Sequence, residues 1–151
     1  MATLKDQIRA DLTTAMKARD ETRTRTLRMA LTSISNEEVS GSAAHDLSDE
    51  QVIKILTREA KRRREAAAAF GEAGRTDQAA SERAEEEVLA NYLPAQLGDD
   101  ELAAMVAAAI AETGASGPAG IGSVMKVVTP KVAGRADGGR VAAIVRSQLS
   151  G

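Results

Sequence analysis

The sequence predicts an all-α fold, with a multihelical N-terminal part followed by a compact three-helix C-terminal domain. Three observations point there. Apolar residues recur every three or four positions along most of the chain, and no segment shows the strict alternation of a half-buried strand. Alanine, leucine, glutamate and arginine, all good helix formers, are abundant. Phe70 and Tyr92 are the only aromatic residues, so the core has to be assembled from Leu, Ile, Val, Met and Ala. A chain of 151 residues has room for one domain or two small ones, and is expected to bury roughly 70% of the surface that its unfolded form exposes.

The first helix is expected over residues 4–18, where Leu4, Ile8, Leu12 and Ala15 share a face. Asp20 suits the start of a second, whose apolar side is Leu27, Ala30, Leu31 and Ile34. Small and polar residues from Ser40 to Asp46 read as a loop. Ser48 followed by Gln51 is a capping box, and it opens a long helix through Val52, Ile53, Ile55, Leu56, Ala60, Ala67 and Phe70 that Gly71 and Gly74 are expected to end. A fourth helix runs from about Asp77 to Asn91, with Ala84, Val88 and Tyr92 a turn apart, and Pro94 closes it. Leu93-Pro-Ala-Gln-Leu-Gly98 is the best boundary, giving an N-terminal domain of 1–93, a linker of 94–98 and a C-terminal domain of 99–151. Leu102, Met105, Val106 and Ile110 mark a fifth helix ended by Thr113-Gly114. Ile121, Val124, Met125 and Val128 mark a sixth, expected to stop before Pro130. Asp137 is a good N-cap for a seventh that carries Val141, Ile144, Val145 and Leu149.

Charge is unevenly placed along this framework. Residues 118–151 hold Lys126, Lys131, Arg135, Arg140 and Arg146 against Asp137 alone, a balance of +4, whereas the first 117 residues carry 15 basic and 21 acidic groups. Such separation gives a local field and a preferred partner, and a polyanion is the first candidate. At about 100° per residue, Lys126 and Arg146 lie roughly 120 to 140° from their helices' apolar stripes, so both should face solvent. Lys131 and Arg135 are expected in the link between the last two helices, where Gly134, Gly138 and Gly139 allow tight turns. Lys54, Arg58, Lys61 and Arg62 form a secondary basic face; with Glu59 and Glu65 in reach at helical spacing, a salt-bridged surface is its simpler reading and a phosphate track its functional one. Glu85, Glu86 and Glu87 read as solvated helix surface, because consecutive helical residues do not share a face.

The same residues argue against several chemistries. No cysteine is present, which removes disulfides, thiolate metal sites and a cysteine nucleophile. His45, the only histidine, sits in the expected loop without a nucleophile or ligand neighbour, so no catalytic residue, metal or cofactor is expected. Glycines 120, 122, 134, 138 and 139 fit neither a P-loop nor a dinucleotide fingerprint. No apolar run approaches the roughly 18 residues of a membrane span. Lys5, Asp6 and Arg9 interrupt what would be a signal-peptide core, so a soluble cytoplasmic protein is expected. Neither aromatic residue lies in the basic tail, and stacking is the usual hold on single-stranded bases. A folded RNA met through phosphates, 2′-hydroxyls and shape, such as transfer RNA, is the more natural ligand.

Four stretches together resemble the YqeY-like proteins, free-standing relatives of the tail domain of the GatB subunit of glutamine-dependent aminoacyl-tRNA amidotransferases. They are Arg58-Glu-Ala-Lys-Arg-Arg-Arg64, Phe70-Gly-Glu-Ala-Gly-Arg75, Glu87-Val-Leu-Ala-Asn-Tyr-Leu-Pro-Ala-Gln-Leu97, and Gly122-Ser-Val-Met-Lys126 continued by Pro130-Lys-Val-Ala-Gly-Arg-Ala-Asp-Gly138. The resemblance implies a longer helical N-terminal part and a compact helical C-terminal domain, and in the amidotransferase the related tail is a tRNA-binding appendage. By similarity Lys126, Lys131, Arg135 and Arg140 become RNA-binding positions, and the charge argument adds Arg146. Gly98 departs from the pattern, where an N-cap serine is common, as does the Gly-Ser-Ala-rich loop before His45. The family is associated with carbon-nitrogen ligase activity that uses glutamine as amido-N-donor, but the Gly/Ser-rich amidase signature and a phosphate-binding loop are both missing here. The expectation is a non-catalytic tRNA-binding accessory protein related to tRNA transamidation. The alternatives are a module that docks on another translation component, or an assembly-dependent part of a carbon-nitrogen ligase.

Overall fold

Thr3, Asp20 and Ser48 decide where the first three helices begin. In the computed structural model, which describes residues 2–150, Thr3 and Asp6 satisfy each other's backbone N–H at the start of α1 (Leu4–Lys17). Hydrogen bonding to the carboxylate itself, by the Thr3 backbone first and the Thr3 hydroxyl next, holds Asp6 below its ordinary value. Asp20 accepts from Arg23 N at 3.1 Å to open α2 (Glu21–Glu38). The expected Ser48–Gln51 capping box opens α3 (Asp49–Glu72), with reciprocal bonds of 3.2 and 2.9 Å.

Two helix ends differ from expectation. Gly71 lies inside α3, and the stop belongs to Gly74 alone: its φ of +75° lets Arg75 N reach Phe70 O at 2.8 Å and Gly74 N reach Gly71 O, the paired bonds of a Schellman cap. After α4 (Thr76–Ala90) and α5 (Asp99–Thr113), a 3₁₀ turn at Pro118–Gly120 leads into α6 (Ile121–Val132), which passes through Pro130 instead of stopping before it. Proline this late removes one backbone bond, and the loss is offset by burial of Val132, which extends the stripe of Val124 and Val128 by another turn. The last helix, α7 (Gly138–Ser150), starts after Asp137, whose Oδ1 accepts from Gly139 N at 3.3 Å. No strand occurs among the described residues.

The chain divides into two units, residues 1–93 and 94–151, each with its own core. The first packs Ile8, Leu27, Ile34, Val52, Leu56 and Leu89 between α1, α2, α3 and α4. The second packs Leu102, Val106, Val124, Val128, Val141 and Val145 between α5, α6 and α7. Residues 94–98, expected as a linker, belong to the second unit. Leu97 is buried in its core and donates its backbone N–H to Arg135 O at 2.9 Å.

The first unit also buries charge. Arg63 on α3 is only 5% exposed, and Glu59 and Glu85 beside it are each 8% exposed. Arg63 Nη1 lies 3.0 Å from Glu59 Oε2, and its enclosed Nε, without a hydrogen-bond acceptor, is 3.4 Å from Glu85 Oε2. Arg25 on α2 donates to Glu85 Oε1 at 2.8 Å, and Ser33 donates to Glu59 Oε1 at 3.2 Å. Glu85 is therefore not the solvated residue that its neighbours in sequence suggest. It faces arginines on two other helices, and Glu87 alone of the acidic trio is exposed without an ion pair among the described residues, since Glu86 pairs with Arg64 at 2.8 Å.

Truncating Arg63 would leave the enclosed Glu59 and Glu85 carboxylates with only the more exposed Arg62 and Arg25 as partners, a class of change that costs up to about 3 to 5 kcal/mol. Arg63→Ala should accordingly lower the urea stability of the first unit by about that amount. Adding Glu59→Leu and Glu85→Leu to Arg63→Met should restore most of it, because an enclosed ion cluster and a packed apolar one of similar size are often equivalent. A second expectation concerns Tyr92, which donates to Asp11 Oδ2 at 2.5 Å and ties the end of α4 to α1. Burial first, then this hydrogen bond and the Asp11 charge, push the phenol well above its ordinary 10.0, with Arg23 pulling weakly the other way. A raised folded-state value means that the contact is fully stabilising below 10.0 and is lost only as pH climbs through the higher value. An absorbance titration of this single tyrosine should show no phenolate near pH 10.0 while the protein stays folded, and an onset moved part of the way back toward 10.0 in Asp11→Ala, because burial, the first cause, remains.

Candidate nucleic-acid interface

The second unit is held shut at one end by its own cations. Gly98 caps α5 without a side-chain acceptor, and the task of fixing that helix start falls to Arg140 in the first turn of α7. Its Nη2 donates to Leu97 O at 2.9 Å and to Asp99 Oδ1 at 2.6 Å, and its Nε reaches the same carboxylate oxygen at 3.1 Å. Arg135 Nε donates to Ala95 O at 3.2 Å, and Gln96 Nε2 donates to Gly134 O at 3.0 Å. Residues 94–99 and the connection between α6 and α7 are thus laced side by side. Gly134, with φ of +75°, makes the turn that brings them together.

The other three cations point outward. Lys126 and Arg146 are exposed on α6 and α7 and form no ion pair among the described residues. Measured from the buried stripes, Lys126 is about 160° from the centre of its helix's apolar side and Arg146 about 100°. Lys131 falls in the last turn of α6, not in the connection where it was expected. Its Nζ is 3.4 Å from Glu112 Oε2, with 55% and 60% of the two side chains exposed. Such an exposed pair is worth about 0 to 1 kcal/mol and yields readily to a stronger anion. The five tail cations are therefore of two kinds. Arg135 and Arg140 are committed to backbone and carboxylate partners, whereas Lys126, Lys131 and Arg146 present their charge to solvent.

The secondary basic face is also divided. Lys54 and Arg58, one turn apart on α3, are exposed and border a shallow cavity of about 230 Å³ with Glu37, Gln51 and Ile55. Lys61 is half-buried, and Arg62 lies 3.5 Å from Glu59, so the salt-bridged reading fits that end of the helix better. His45 borders an open cavity of about 350 Å³ together with Glu38 and Asp46. Glu38 is ion-paired with Lys5, however, and the His45 ring nitrogen has only the Ala43 carbonyl at 3.4 Å. A feature with no signal in the sequence lies beside Arg146: a cavity of about 400 Å³ walled by Pro118, Ile121, Ala143 and Leu149. Its residues come from the 3₁₀ turn, α6 and α7, and only their packing brings them together.

The division of roles can be checked by stability alone. Arg140→Ala removes a charge-assisted hydrogen bond to Leu97 O and should cost about 1 to 2 kcal/mol, the bond to the well-exposed Asp99 adding little. Lys126→Ala and Arg146→Ala should each stay within about 0.5 kcal/mol of wild type. Amide exchange at Leu97 and in the first turn of α5 should accelerate in the Arg140 variant and in neither of the others.

No group of three or more Asp, Glu, His or Cys side chains is placed to hold a metal ion among the described residues, and no helix there is long and apolar enough to cross a membrane. A comparison with curated proteins found no match. The family model described as Yqey-like protein matches residues 5–149, which takes in both units and every cation discussed above. With nearly all of its length matched, the chain belongs to the Yqey-like protein family.

Proposed function

We propose that the protein is a non-catalytic, tRNA-binding accessory factor related to glutamine-dependent tRNA transamidation, working in the cytoplasm, and that Lys126, Lys131 and Arg146 make the RNA contact. The observation that carries this reading is the outward presentation of these three charges on a self-contained helical unit, in a chain whose remaining residues are net acidic. A rigid helical frame holds the cations at fixed spacing, so a folded polyanion can meet them with little loss of freedom. The acidic remainder steers the same ligand away from other surfaces. Phosphate contacts of this kind position an RNA without reading its sequence.

Three phosphate contacts give a slope of about −2 to −3 in log affinity against log salt. Titration of the full chain with bulk tRNA at several salt concentrations should show it. The variant Lys126→Ala, Lys131→Ala, Arg146→Ala should bind more weakly and lose most of the slope. Arg135 and Arg140 stay intact in this test, because their removal would loosen the fold. Unchanged affinity would instead favour docking on another translation component. Glutamine-dependent transamidation by the purified chain would overturn the non-catalytic reading in favour of a carbon-nitrogen ligase role.

A further inference from the structure

We propose that the cleft beside Arg146 seats one unpaired nucleotide of the RNA, its base against the apolar walls and its phosphate on the guanidinium. The inference rests on the RNA reading above and gives that ligand a local feature. At about 400 Å³ the cavity falls within the range of roughly 300 to 1,000 Å³ typical of sites that enclose a small-molecule moiety. Pro118, Ile121, Ala143 and Leu149 supply apolar wall, and Arg146 and Ser147 supply the polar groups.

The wall is built, not incidental. Gly117, with φ of +64°, turns the chain just before Pro118. Gly120 then packs so close to Ala115 that a Cβ there would lie 2.7 Å from the Ala115 Cβ. These two glycines hold the 3₁₀ turn where Pro118 can face α7.

The chemistry of the cleft selects its occupant. Arg146 forms no ion pair among the described residues, so its charge is available to an anion. The walls favour a weakly polar body directly attached to that anion, and a nucleotide joins the two within one residue. Bases splayed out of an RNA are held by aromatic rings or by guanidinium planes. Residues 94–151 contain no aromatic ring, and with Arg146 given to the phosphate the base rests on the apolar walls. The Ser147 hydroxyl can donate to or accept from a base edge. An acidic peptide is a poorer match, because one cation answers only one of its charges.

The test uses the full chain and two RNA hairpins with the same stem, one blunt and one ending in two unpaired 3′ nucleotides. Wild type should bind the overhang about fivefold more tightly. Ala143→Leu, which enlarges an exposed wall residue in a helix that tolerates leucine, should erase that gain and leave blunt-end affinity unchanged, with an unaltered circular dichroism spectrum. Arg146→Ala should weaken both. Nucleoside 5′-monophosphates should shift the amide resonances of Ile121, Ala143 and Ser147. Equal affinity for the two hairpins, or a gain that Ala143→Leu retains, overturns the inference while salt-dependent binding of both leaves the tRNA reading standing. Failure of both hairpins to bind, with the monophosphate shifts present, removes the tRNA reading and keeps a nucleotide site. Absence of binding and shifts removes both, and shifts produced only by an acidic amphipathic peptide give the cleft to a protein.

Discussion

The first unit depends on a single guanidinium. Arg63 sits between Glu59 on its own helix and Glu85 on α4, and Arg25 from α2 closes the group from the other side of Glu85. Apolar packing is non-directional and sets the register of α2, α3 and α4 less sharply than a paired charge does. An enclosed charge tolerates no slip, since moving it by one turn leaves a carboxylate without its cation. The ion group therefore acts on which arrangement forms more than on how stable that arrangement is. It also explains why a conspicuous run of four basic residues, 61–64, is a poor guide to binding: one member is turned inward and two others are paired.

The second unit solves the same problem with backbone. Its helices enclose only apolar side chains, and position is set where Arg135, Arg140, Gln96 and Gln148 hydrogen-bond carbonyl groups of facing segments. Two of the tail's five cations are thereby used for structure. Net charge along a segment counts all five equally, but a ligand meets only those whose donors are not already engaged. The outward-facing charge of the tail is consequently smaller than the sequence suggests, and it is carried by Lys126 and Lys131 on α6 and Arg146 on α7.

Much of this was legible in the residues. The helix count, the Ser48–Gln51 cap, the start of α7 at Asp137 and the exposure of Lys126 and Arg146 follow from periodicity and capping chemistry, which act within a few residues. What escaped depends on partners distant in sequence. Glu85 is part of an acidic trio whose local pattern carries no trace of arginines 22 and 60 residues away. Pro130 signals a stop, yet Val132 behind it gains enough burial to keep the helix turning. Arg140 reads as a surface cation until Leu97 and Asp99 are placed beside it. The cleft at Arg146 needs three elements at once.

Tyr92 and Phe70 both lie in the first unit, so residues 94–151 contain no ultraviolet chromophore beyond the peptide bond. Intrinsic emission from this chain is a one-sided reporter: it follows the α1–α4 contact and is blind to the half that carries the outward-facing cations. If the two cores melt separately, optical and backbone signals will disagree in midpoint, and the size of that disagreement measures how far the halves unfold as one.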